Sequence, residues 1–262
     1  MLNNEEKVFF ETSDNLRLCG ILSKSPKKTN KCIVLCHGIT VDKEEEGIST
    51  KLAKELADAG FSAFRFDFRG HGESEGNSVD ITIKGETKDL EAAVKFLQKK
   101  GFEKFGIAAA SFSGGPVSFY VAKHQDIVKA IVLWNSLIDY ASGESSATPW
   151  AKKYWGKPAF DRVEEYGFTE IGSRKFKIGR NLMLEIGVLK PWQELLKLDI
   201  PILFIHGDAD TYISHKDSIK YSKLVKNGTL VIIKGAEHGF HDNPKHAEEA
   251  NRTTIEFLKK FV

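Results

Sequence analysis

Residues 105–115 constrain this chain more than any other stretch, reading Phe105-Gly106-Ile107-Ala108-Ala109-Ala110-Ser111-Phe112-Ser113-Gly114-Gly115. They open with a short apolar run of mostly small side chains, the pattern of a buried strand. Two serines and two glycines are then packed together. Val117, Tyr120, Val121 and His124 recur at helical spacing and predict a helix over 117–124. A strand that turns sharply into a helix with a serine at the corner presents that hydroxyl on a tight, strained turn. The helix start directs backbone N–H groups toward any charge that forms beside it. The usual pattern for such a corner is G-x-S-x-G; here it is Ala109-Ala110-Ser111-Phe112-Ser113. Both replacements are small, as the turn requires. Ser113 is a rival to Ser111. Ser111 is preferred because it stands where the apolar strand ends and Gly114 follows where the helix must pack closely on the sheet.

Around this stretch, strand and helix patterns alternate. Residues 7–12 and 16–22 read as an antiparallel hairpin at a sheet edge, turning at Ser13-Asp14-Asn15. Residues 32–36 read as a buried strand ending at His37-Gly38-Ile39-Thr40, 48–59 as a helix, 61–66 as a strand, 83–99 as a long amphipathic helix and 127–134 as another buried strand. The segment 41–47, with Glu44-Glu45-Glu46, reads as a solvated charged loop. Strands at 200–205 and 229–233 and helices at 217–226 and 245–261 close the pattern. The alternation predicts a parallel sheet covered on both faces. Between 135 and 198 the rhythm breaks. This segment holds Trp150, Trp155, Phe160, Tyr166, Phe168, Phe176 and Trp192, and is expected to form short helices and turns as a cap inserted into a core of 1–134 and 199–262.

Composition narrows the function classes. The 262 residues are enough for one large α/β domain or two small ones, and 41% apolar and 28% charged content is an ordinary globular balance. A net charge of +2 does not argue for nucleic acid or an anionic membrane. No apolar run is long enough to span a bilayer. Met1-Leu2-Asn3-Asn4-Glu5-Glu6 lacks the basic start and apolar core of a signal peptide. Cys19, Cys32 and Cys36 are odd in number and lack metal-type spacing; they are expected to be reduced, buried groups in a cytoplasmic protein.

Four strand ends carry reactive types. In open parallel sheets, ligands bind beyond the carboxyl ends of the strands. Ser111 ends one strand and His37-Gly38 another; 200–205 ends in His206-Gly207-Asp208-Ala209-Asp210, and 229–233 in Lys234-Gly235-Ala236-Glu237-His238-Gly239-Phe240. Serine is a weak nucleophile and needs a base within hydrogen-bond reach. His238 is the expected base, chosen over His241 because it follows the strand sooner, between small residues and Gly239. Asp210 is the expected orienting acid, chosen over Asp208 because the acid must reach from its strand end toward the histidine loop. Backbone N–H groups of Ile39 and Phe112 would hold the oxyanion. Gly38 would permit close approach of the backbone to a ligand. His71, His206 and His215 are expected to be structural or solvated.

Leu35-Cys36-His37-Gly38, Phe66-Asp67-Phe68-Arg69-Gly70-His71-Gly72-Glu73-Ser74, the Ser111 corner, Ile205-His206-Gly207-Asp208-Ala209-Asp210 and Gly235-Ala236-Glu237-His238-Gly239-Phe240 together resemble a serine hydrolase of the α/β-hydrolase superfamily. The likeness runs over essentially the whole chain, and Ser, Asp and His follow in that fold's order. Gly70-His71-Gly72-Glu73-Ser74-Glu75-Gly76, the size and the single cap are most similar to bacterial esterases of the feruloyl or cinnamoyl type. The resemblance implies an α/β-hydrolase fold: a mostly parallel eight-stranded sheet, helices on both faces and a small inserted cap. It implies ester cleavage through an acyl-enzyme on Ser111, with no metal or other cofactor. The Ala-x-Ser-x-Ser corner departs from that group. It resembles the acyl-protein thioesterases that supply fatty acids to bacterial luminescence, so a small-molecule ester and an acyl thioester on coenzyme A or a carrier protein are both open as substrates. A ligand-binding α/β-hydrolase fold without turnover is the alternative from another class. Trp150 and Trp155 are candidate substrate-binding residues in an apolar acyl pocket, or else part of the cap's own core. The sequence leaves a homodimer open.

Overall fold

Along the central strands apolar side chains alternate between two faces, and each face has its own helices. The structure is a computed structural model that describes residues 4–141 and 143–262; residues 1–3, part of the stretch judged above for a signal peptide, lie outside these. The chain opens with β1 (Glu5–Glu11), β2 (Arg17–Ser23), β3 (Lys31–Cys36), α1 (Ile48–Asp58), β4 (Ser62–Phe66) and α2 (Ile83–Lys99). It continues with β5 (Lys104–Ala110), α3 (Gly114–Val121) and β6 (Val128–Trp134). An insertion follows: α4 (Pro149–Tyr154), α5 (Lys157–Tyr166), β7 (Phe168–Ile171), β8 (Phe176–Gly179), α6 (Arg180–Val188) and α7 (Pro191–Leu195). The chain then returns to the sheet with β9 (Ile202–Gly207), α8 (His215–Leu224), β10 (Gly228–Ile233) and α9 (Pro244–Phe261).

Among the described residues, eight strands form one sheet in the order β1-β2-β4-β3-β5-β6-β9-β10. β2 pairs antiparallel with β1 and β4, and the other neighbours are parallel. This is the α/β-hydrolase fold. Val34, Phe66, Ile107, Leu133 and Phe204 pack on one face with Leu90, Val94 and Leu97 of α2, Val117 and Val121 of α3 and Tyr221 of α8. Leu35, Ala63, Ala108, Val132 and Ile205 pack on the other with Leu52 and Leu56 of α1 and Ala250 and Leu258 of α9. The register sets Ala109 beside Cys36, Ala110 beside Trp134, Trp134 beside Ile205, and Ile233 beside Gly207. The carboxyl ends of β3, β5, β6, β9 and β10 therefore share one edge.

Three expectations need correction. The helix after Ser111 starts at Gly114 rather than 117 and ends at Val121 rather than 124, because a 3-10 turn over Ser111–Ser113 leads straight into it. The insertion is not helices and turns alone: β7 and β8 form an antiparallel pair. Their alternate residues Ile171 and Ile178 are buried, a short period-2 pattern that the charged residues between them obscure. The segment 41–47 is not simply a solvated loop. Lys43 is buried and paired with Asp67 at 2.8 Å, and Glu44 meets Arg65 at 3.2 Å. Cys19, Cys32 and Cys36 are buried free thiols, and burial pushes the Cys36 thiol well above its ordinary range. No helix among the described residues is long and apolar enough to cross a membrane.

The corner after β5 is packed to its limit. A Cβ on Gly115 would stand 1.8 Å from the hydroxyl oxygen of the buried Tyr140, and one on Gly114 2.7 Å from Ser136 Cβ. Gly115→Ala therefore overpacks the first turn of α3, at a cost of about 1–3 kcal/mol. Urea unfolding is the check; a midpoint equal to that of the parent would show that Tyr140 moves aside freely.

Candidate active site

Ser111 has φ +54°, a left-handed conformation that is rare for a residue with a Cβ and marks a strained functional turn. Small neighbours allow it. A Cβ on Gly38 would lie 3.2 Å from Ser111 Cβ, so a side chain there would crowd the serine. Ser111 Oγ donates to His238 Nε2 at 3.1 Å, and His238 Nδ1 donates to Asp210 Oδ2 at 2.7 Å. The three side chains come from the ends of β5, β10 and β9. Ser113, the rival, is buried, and its hydroxyl faces the carbonyl oxygens of Cys36 at 2.9 Å and Ala110 at 2.8 Å. It ties the corner to β3 and does not meet a base. Asp208 accepts from the Gly235 amide at 2.6 Å, bridging two strand ends away from His238. His241 faces Glu46 at 3.5 Å.

Asp210 gathers five donors. Oδ2 accepts from His238 Nδ1, from Asn135 Nδ2 at 2.7 Å and from His206 Nε2 at 3.2 Å; Oδ1 accepts from the amides of Tyr212 at 2.8 Å and Ile213 at 3.0 Å. Burial disfavours its charge, but the neighbouring His238 and the hydrogen bonds from His206 and His238 hold the carboxyl well below the usual carboxylate range. Sequence reasoning took His206 as structural or solvated and missed Asn135. His206 is buried, and its Nδ1 accepts from Ser218 Oγ at 2.7 Å, which leaves Nε2–H to face Asp210. Asn135, directly after the apolar strand β6, has φ +45°, which asparagine tolerates better than most residues. A polar residue at that strand end was the available signal.

Ile39 and Phe112 line the same pocket as Ser111, in the loop after β3 and in the turn into α3. The cavity measures about 640 Å³, within the range of small-molecule sites. Trp150 and Trp155 both line it. Trp155 stacks on Phe112 at 6.0 Å between ring centroids; Trp150 meets Trp155 at 5.5 Å and stacks on Tyr212 at 5.6 Å, and Tyr212 lies 5.0 Å from the His238 ring. Aromatic surface thus runs from the insertion to His238. The indole N–H of Trp155 is buried without a partner among the described residues.

Glu45, assigned to solvent from the sequence, lines this pocket. Its carboxylate accepts from the Gly38 amide at 3.3 Å and from Ser49 Oγ at 3.1 Å. Its backbone and that of Glu46 are left-handed, with φ +45° and +56°. Burial pushes the Glu45 carboxyl up to about 7.

The chain matches the family model described as serine aminopeptidase, S33 (Hydrolase_4) over residues 27–166, just over half its length. It is 24% identical over 249 residues to the bifunctional esterase/perhydrolase DCH of Acinetobacter calcoaceticus, covering 76% of this chain and 82% of that protein. Est1E from Butyrivibrio proteoclasticus, solved with ferulic acid bound, superposes with a TM-score of 0.82 at 22% identity over 97% of this chain and 98% of its own. The Pyrococcus furiosus esterase Pf2001 superposes with a TM-score of 0.72 at 20% identity over 98% of this chain and 92% of its own.

Two outcomes follow from the site's charges. Asp210→Asn removes the orienting charge and is expected to lower kcat by on the order of 10⁴, while Asp208→Asn keeps most activity; equal losses in an ester assay would reject Asp210 as the acid. Glu45 binds its proton more tightly folded than unfolded. Its stabilising contribution is present below its unfolded value, about 4.3, and is lost as pH rises through about 7. Glu45→Gln, which keeps an acceptor for Gly38, should thus gain stability over the parent on going from about pH 5 to pH 8. Urea unfolding at both values checks this, and a pH-independent difference would contradict it.

Proposed function

The chain belongs to the serine aminopeptidase S33 (Hydrolase_4) family, and from that premise we propose that it is a serine hydrolase cleaving carboxylic esters through an acyl-enzyme on Ser111. The observation that carries this reading is the line Ser111–His238–Asp210 at a serine held in a left-handed turn. The ester carbonyl sits with its oxygen toward the amides of Ile39 and Phe112. Ser111 Oγ attacks the carbonyl carbon while His238 Nε2 takes the hydroxyl proton. Asp210 keeps the ring in the tautomer whose Nε2 can accept, and stabilises the imidazolium that forms. The negative charge on the tetrahedral oxygen is met by the two amides, each such donor worth roughly 3–4 kcal/mol in the transition state. Collapse breaks the bond to the alcohol oxygen, which takes the proton from His238. Water then attacks the acyl-enzyme, giving its proton to His238, and the second collapse releases the acid and restores Ser111.

In this reading residues 135–198 act as a cap over a core of 1–134 and 199–262, and Trp150 and Trp155 contact the acyl group. The aromatic lining and the 640 Å³ cavity suit an aryl or medium-length acyl chain. The esterase activity named for the Acinetobacter relative and the ferulic acid named for Est1E support the same substrate class. A thioester is the second reading, favoured by the Ala109-Ala110-Ser111-Phe112-Ser113 corner; it shares the tetrahedral chemistry and differs in the leaving group.

A fluorophosphonate is expected to label Ser111, identified by peptide mass spectrometry. Ser111→Ala should lower turnover by on the order of 10⁴–10⁶, and Ser113→Ala should keep most of it. Label on Ser113, or no label on folded protein together with saturable ligand binding and no product, would refute the assignment. Aryl esters and acyl-coenzyme A thioesters of equal acyl length, compared by kcat/KM, separate the two leaving groups.

A further inference from the structure

The side chains of Ile39 and Phe112 join neither core of the sheet. Both lie in a third apolar cluster, with Ile171 and Ile178 of the β7–β8 hairpin and Leu182 and Ile186 of α6. The two residues assigned above to the oxyanion therefore share an apolar cluster with the insertion.

The backbone beside Ile39 is held by side chains from the sheet's own loops and from the insertion. Three consecutive carbonyl oxygens face side-chain nitrogens: Gly38 accepts from His37 Nδ1 at 2.7 Å, Ile39 lies 2.7 Å from His71 Nε2, and Thr40 accepts from Arg174 Nη1 at 3.3 Å. His37 Nε2 accepts from the Phe68 amide at 3.0 Å, which leaves Nδ1 as its donor. His71 is buried, and its Nδ1 faces the Arg69 carbonyl at 2.9 Å. One face of the His71 ring stacks on Phe176 of β8, with centroids 4.6 Å apart. Arg174 belongs to the turn between β7 and β8 and also pairs with Glu46. A trans peptide is a rigid plane with its N–H opposite its C=O. Holding the Gly38 oxygen thus sets the direction of the Ile39 N–H, and holding the next two oxygens limits rotation of the peptides that follow. A bond accepted at the carbonyl also polarises the N–H of the same plane.

We propose that the β7–β8 hairpin is a positioning element for the loop that carries the Ile39 amide, acting through the Phe176–His71–Ile39 contact and the Arg174–Thr40 bond. The hairpin then affects the chemical step as well as the choice of substrate. This rests on the assignment of Ser111, Ile39 and Phe112 above.

The test uses a p-nitrophenyl ester and four single variants. His71→Phe keeps a ring against Phe176 and removes the donor; His71→Gln restores a donor. Phe176→Leu removes the stack and keeps apolar volume; Phe176→Tyr restores the ring. His71→Phe and Phe176→Leu are each expected to lower kcat by about 10- to 100-fold, with KM changed by less than about threefold. His71→Gln and Phe176→Tyr should recover most of the loss. The double variant His71→Phe with Phe176→Leu should be no worse than His71→Phe alone, because both act through one contact. A rise in KM at unchanged kcat, or losses that multiply in the double variant, would overturn the proposal. Should His71→Phe fail to fold, long-range proton–nitrogen NMR of the parent decides: a proton on His71 Nε2 supports the contact, and a bare Nε2 overturns it. A parent that neither hydrolyses esters nor takes the fluorophosphonate overturns the underlying assignment instead, a result distinct from an active parent with indifferent variants.

Discussion

A carboxylate with five donors organises the functional edge of this molecule. Burying an ionised carboxyl without partners is prohibitively costly, so Asp210 can be charged inside the protein only if the surrounding chain supplies them. Those donors come from the end of β6 (Asn135), from β9 (His206), from the turn after β9 (Tyr212 and Ile213) and from the loop after β10 (His238). Satisfying one anion therefore brings three strand ends to a point. It also leaves a single productive orientation for the His238 ring, since Nδ1 is committed to Asp210 and Nε2 is turned to Ser111.

Most of the sheet was legible in the sequence because its strands are short apolar runs bounded by glycine and polar turns. Even the antiparallel start could be read from alternation. The candidate site was legible for a related reason: in a parallel sheet the reactive types collect where strands end, and Ser111, Asp210 and His238 each follow an apolar run closely. What escaped notice depended on partners distant in sequence. Glu44, Glu45 and Glu46 look like a solvated run until Arg65, the Gly38 amide and Arg174 are seen to meet them, one each. Asn135 carries no local signal beyond its place after Trp134. The β7–β8 pair is four residues a side, too short for a period to stand out against its charges.

The loop after β3 shows how buried charge can take the place of apolar anchoring. Lys43 reaches Asp67 and Glu73, each at 3.0 Å or less, and Arg65, almost wholly buried on β4, reaches Glu5 on β1 at 2.9 Å as well as Glu44. Such pairs add little net stability over apolar packing, because desolvation offsets their attraction. They do impose direction, which apolar contacts do not. The loop they tether carries Gly38 past Ser111, where a Cβ on Gly38 would come within 3.2 Å of Ser111 Cβ.

This loop is tethered from below by ion pairs and from above by the hairpin, and the two differ in kind. The ion pairs belong to the sheet and its immediate turns, so they hold whatever the insertion does. The stack of Phe176 on His71 and the bond from Arg174 to Thr40 exist only while the hairpin is seated. Ile39 and Phe112 lie in an apolar cluster that the insertion shares with Ile81, Ile83 and Ile213, and in neither cluster of the sheet. A sheet without the insertion would keep the serine, the histidine and the aspartate, whose contacts with one another cross only strand ends. It would lose the insertion's part of the apolar cluster that holds Ile39 and Phe112. The contacts among Ser111, His238 and Asp210 are therefore built on strand ends of the sheet, while Ile39 and Phe112 share an apolar cluster with the insertion.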